Sequence, residues 1–171
     1  MSIRPALLAA IAIAAVSTLG DLIWATWIPH HRPVYGLTHG TLLFLCIGLV
    51  LGAFANKWLI GALTGALIGF LAAGSFYVLS PLTGFWSMFL IWFAVWIALG
   101  VFNGRIHESK PRTSSNALRG LLAAVAFGVA FYLISGIWFP FEPSGWDYAA
   151  HFAGWTFAYF AGFASLLVRK D

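Results

Sequence analysis

Six apolar runs, each long enough to cross ~30 Å of hydrocarbon at ~1.5 Å per helical residue, leave this chain little choice of fold. They lie near residues 5–27, 37–56, 58–79, 84–103, 117–139 and 147–168 of a 171-residue sequence. Lipid offers backbone N–H and C=O groups no partner, so each run must close its own hydrogen bonds as an α-helix. The expectation is all-α: a polytopic membrane protein, a six-transmembrane-helix bundle with short loops, forming a single integral membrane domain over 1–171. Composition agrees, since 61% of residues are hydrophobic and 8% charged, where a soluble domain carries about 25% charged residues. The opening MSIRPALLAAIAIAAVSTLG has the basic start and apolar run of a secretory signal. With Met1 still present, it is read as part of the first span.

Charge sets the expected orientation. With the N-terminus in the cytoplasm, Arg4, Lys57, Arg105, Lys110, Arg112, Arg119, Arg169 and Lys170 fall inside and only Arg32 outside. Eight of the nine basic residues on one side is the positive-inside pattern, and an even span count puts both termini in the cytoplasm. The localisation expected is therefore a multi-pass protein of the plasma or inner membrane. The same distribution explains a net charge of +4 through lipid headgroups, with no nucleic acid as partner. Trp24, Trp27, Trp86, Trp138 and Trp146 near the outer span ends read as an interfacial belt. The polar stretch NGRIHESKPRTSSN (103–116) is expected as a cytoplasmic loop, and SPLTG (80–84) as a tight turn marked by Pro81 and Gly84. Cys46 is the single cysteine, which excludes an intrachain disulfide and a cysteine-based metal site.

Small residues recur every four positions in the third run (Gly61, Gly65, Gly69, Ala73) and the sixth (Gly154, Ala158, Gly162). Such stripes let helix backbones approach closely in lipid, and both are read as intramolecular packing ahead of a dimer face.

The acidic and imidazole groups concentrate on the outer side. Asp21 sits about two turns inside the first span and His39 opens the second, while Asp147 and His151 begin the sixth at a spacing that shares one helix face. His30, His31 and Glu142 neighbour prolines in outer loops and are read as solvated. A carboxylate at the depth of Asp21 costs several kcal/mol unless paired. A polar pocket of Asp21, His39, Asp147 and His151 is therefore expected. Three uses fit: a hydrogen-bonded network fixing helix ends, a divalent metal site, or a proton relay. No zinc-enzyme spacing is present, and DxxxH alone is a weak motif. His39 and His151 also suit axial ligation of a haem. No serine stands in a nucleophile elbow, and no catalytic residue is assigned.

ISGIWFPFEPSGWDY (134–148) and ALGVFNGRIHES (98–109) together resemble the last helices of the Insig (insulin-induced gene) family, with Gly136, Ile137, Trp138 and Pro143 in matching places. Ser135 replaces the family asparagine, and the resemblance covers the second half of the chain. It implies a non-enzymatic six-helix membrane protein that holds a lipid or sterol between its helices and pairs with other membrane proteins. The leading functional expectation is thus binding of a hydrophobic ligand in an intramembrane pocket, with membrane lipids as partners. The alternatives are a metal- or haem-dependent enzyme or electron-transfer subunit using the Asp/His cluster, and a small transporter or accessory subunit.

Overall fold

The computed structural model describes residues 3–27, 33–84, 86–135 and 145–168, without the side chains of residues 24, 25 and 132–135. It is all-α: α1 Arg4–Trp27, α2 Pro33–Phe54, α3 Trp58–Thr83, α4 Trp86–His107, α5 Thr113–Ser135 and α6 Asp147–Leu167, with no strand among the described residues. Helices α1 to α5 are long and apolar enough to cross a membrane. α6 is as long but carries Asp147, Tyr148, His151 and Thr156, and falls short in hydropathy.

The helices group into two compact units. Unit 1 holds α1, α6 and the second half of α5 from Val125; unit 2 holds α2, α3, α4 and the first half of α5 through Ala124. In unit 1, α1 packs on α6. The faces that become buried are Ala6, Ala10, Ile13, Ala14 and Ser17 of α1 and Gly154, Ala158, Gly162 and Phe163 of α6. Small residues at every turn allow that approach, so the expected stripe on the sixth run is buried within the chain.

In unit 2 the closest helix pair is α2 with α3. The stripe of Gly61, Gly65 and Gly69 meets a matching one on α2 formed by Gly40, Gly48 and Gly52. A Cβ placed on Gly65 would overlap the Phe44 carbonyl oxygen and stand 2.9 Å from the Gly48 Cα, so the two backbones are in direct contact. The intramolecular reading of this stripe is correct, and its partner on α2 keeps the same helix face, with Phe44 standing at the four-residue step between Gly40 and Gly48. The reversal between the two helices is tight: Asn56 takes a left-handed φ of 55°, which asparagine tolerates, and the Lys57 N–H bonds back to the Gly52 carbonyl at 2.7 Å.

Three sequence expectations are corrected. SPLTG is not a turn: α3 runs through Ser80 and Pro81 to Thr83 and stops at Gly84, whose φ is 56°. In the last turn a proline forfeits one backbone hydrogen bond, and nearby lipid disfavours opening more. The loop expected over 103–116 shrinks to 108–112, because NGRIH completes α4 and TSSN opens α5. Asn103 and Asn116 are each 2% exposed, and Asn116 Nδ2 donates to Glu108 Oε2 at 2.9 Å. Finally, α2 starts at Pro33 rather than near 37, proline being preset for a first helical turn. Residues 136–144, which include Trp138, Glu142 and the core of the Insig-like stretch, lie outside the described residues, as do His30, His31 and Arg32.

Candidate functional site

Two polar rungs join α1 and α6 in unit 1. Ser17 and Asp21 are one turn apart on α1; His151, Trp155 and Tyr159 follow at four-residue steps on α6, so each set shares a face. Ser17 Oγ and Tyr159 Oη are 3.0 Å apart, both groups buried. Trp155 Nε1–H donates to Asp21 Oδ2 at 2.8 Å, and His151 Nδ1 stands 3.1 Å from the same oxygen. With the proton on Nδ1, His151 is the second donor to that carboxylate oxygen. The order of contacts, Ser17 with Tyr159 and Asp21 with residues nearer the start of α6, makes the two helices antiparallel.

The surroundings are largely closed off. The His151 side chain is 8% exposed and that of Asp21 26%. Aromatic rings of α5 and α6 wall the rungs: Phe131 lies over Trp155 at a centroid distance of 4.6 Å, and Phe127 meets Tyr159 edge-on at 5.0 Å. Asp21 is six residues before the end of α1, about 9 Å along the axis. Moving an aspartate into a bilayer costs up to ~3 kcal/mol on insertion scales. Hydrogen bonds to a charged group return about 1.5–3 kcal/mol each, so two donors on Oδ2 offset the burial.

Of the four residues expected to form a polar pocket, Asp21 and His151 are in direct contact. Asp147 lies one turn before His151, half-buried at the start of α6. His39 is in the second turn of α2 and belongs to unit 2. Trp155 lies outside the five tryptophans expected at the interface, and its place four residues after His151 is the signal in the sequence for its role. Among the described residues no group of three His, Cys, Asp or Glu side chains is arranged to hold a metal ion.

A second feature lies in unit 2, where α3 and α4 border a groove of about 560 Å³. From α3 it takes Ile60, Thr64 and Ile68, again at four-residue steps. From α4 it takes Ala98, Val101, Phe102 and Ile106, with Arg105 at the end where α4 finishes and α3 begins. The wall is apolar apart from the Thr64 hydroxyl and the Arg105 guanidinium. Its volume falls in the ~300–1,000 Å³ range of small-molecule sites. The groove leaves no mark in the sequence, because helix-face spacing of Ile, Thr, Ala and Val is indistinguishable from ordinary lipid-facing sequence.

Compared with known proteins, the chain matches no family model, no curated protein and no solved structure.

Proposed function

We propose that the chain is a non-catalytic integral membrane protein that holds a hydrophobic ligand, a lipid or sterol-like molecule, in the groove between α3 and α4. The observation that carries this reading is the groove itself: a concave apolar surface on helices of membrane-spanning length, with one cation at its end. In a bilayer such a concavity is filled by hydrocarbon, and a well-shaped one retains a particular molecule longer than a flat helix face does. The Insig-like layout of the second half points to the same class of function. In this account α6 also spans the membrane, both termini are cytoplasmic, and the Arg105 end of the groove faces the cytoplasmic leaflet. The Asp21–His151–Trp155 contact ties α1 to α6 and takes no part in chemistry.

The test is extraction. Protein purified in mild detergent is denatured with organic solvent, and the released lipids are quantified by mass spectrometry against protein. Wild type is expected to release about one molecule of a retained lipid for each α3/α4 groove. Ala98→Phe, which fills the groove with a ring, is expected to release far less while melting at a similar temperature. Equal amounts from both proteins contradict the proposal.

A further inference from the structure

One cation lines the end of the groove and a second is bonded to its wall, and this indicates which lipid it selects. Arg105 lines its end and is exposed, with no ion-pair partner among the described residues. Lys57 reaches the same end from the other helix. It occupies the N-cap position of α3, and its Nζ donates to the carbonyl oxygen of Ile106 at 3.1 Å, Ile106 itself being part of the groove wall. An ammonium carries three donors, so two remain after that bond. The carbonyl is one of the last of α4, where the helix dipole is negative and holds the ammonium in place. Arg105 thus lines the end of a groove whose remaining walls are apolar except for Thr64, and the Lys57 ammonium is bonded to the backbone of the neighbouring wall residue Ile106.

Length agrees with one acyl chain reaching inward from a headgroup. From Ile60 to Ile68 is eight residues of helix, about 12 Å, which begins at the cationic mouth and ends within the hydrocarbon. Two positive charges beside an apolar trough are complementary to a molecule with a negative head and an aliphatic tail. A zwitterionic head would bring its own cation against Arg105 and Lys57. A sterol, whose polar end is a single neutral hydroxyl, would leave both charges unanswered.

We propose that the α3/α4 groove is a binding site for an anionic phospholipid, its phosphate held between Arg105 and Lys57 and an acyl chain along Ile60, Thr64, Ile68, Val101 and Phe102. This rests on the groove-binding reading given above and narrows it to one headgroup chemistry. The guanidinium offers a planar pair of donors to a phosphate, whereas Lys57 contributes a point charge positioned by Ile106.

The experiment uses the intact protein in nanodiscs made from equal parts phosphatidylglycerol and phosphatidylcholine with identical acyl chains. After release into detergent, native mass spectrometry counts the lipids retained on the protein. Wild type is expected to retain phosphatidylglycerol in excess over the bulk ratio. Arg105→Gln and Lys57→Gln are each expected to cut that excess, by about fivefold per cation removed, with total retained lipid little changed. Retention of both lipids in the bulk ratio overturns the headgroup assignment and leaves the groove reading standing. An excess that survives in the double variant also overturns it. No retained lipid on wild type overturns both.

Discussion

At the level of single residues, the contact between Asp21 and the α6 stripe shows what an intramembrane carboxylate requires. Its partner in His151 was legible in the sequence, because a buried charge demands compensation and few groups could supply it. Trp155 was not, since indole N–H groups are hidden within a residue usually read for its ring. The geometry separates charge from hydrogen bonding: an amide oxygen at position 21 can still accept from Trp155, whereas an alkyl group strands two donors, one buried and one half-buried. Asp21→Asn is therefore expected to cost about 1 kcal/mol, and Asp21→Leu about 3 kcal/mol or more. Thermal unfolding in detergent checks the order; equal losses would mean that the charge, and not the acceptor, is what matters. Tyr159→Phe removes the other rung and leaves Ser17 buried without it, for an expected loss of about 1–3 kcal/mol by the same measurement.

Among the helices, contact is set by what is absent from the side chains. Gly40, Gly48 and Gly52 face Gly61, Gly65 and Gly69 across α2 and α3, and added Cβ atoms at 48, 52, 61, 65 and 69 would all meet backbone atoms that cannot swing aside. Gly65→Ala is expected to destabilise unit 2 by about 3 kcal/mol or more, the upper range for overpacking. An unchanged melting temperature would mean that these helices separate without cost. The four-residue spacing made one half of this contact readable. Helix ends were harder. NGRIH and TSSN look like loop formers by residue type, yet Asn103 and Asn116 are drawn into the protein, and the Asn116–Glu108 bond clasps the shortened loop. Likewise Pro81 reads as a stop but is accommodated in a last turn, because local propensity yields to the lipid's demand for closed hydrogen bonds.

Across the molecule, the number of helices followed from apolar length alone, while their division into two units did not, since every span is apolar on nearly all sides. At the described helix ends Trp27, Trp86 and Trp146 are 78%, 72% and 90% exposed. The charge asymmetry leads to the expectation that a reporter fused after Asp171 is cytoplasmic and one inserted near Ser144 external; finding both on the same side would refute the six-span orientation. The central claim, that the α3/α4 groove is where this protein holds lipid, is tested most directly by photocrosslinking in nanodiscs with a phospholipid carrying a diazirine in its acyl chain. Adducts located by peptide mass spectrometry are expected to concentrate on Thr64, Ile68, Ala98 and Phe102. Adducts spread evenly over these residues and the exposed apolar positions Leu8, Leu122, Val129 and Phe157 would contradict it.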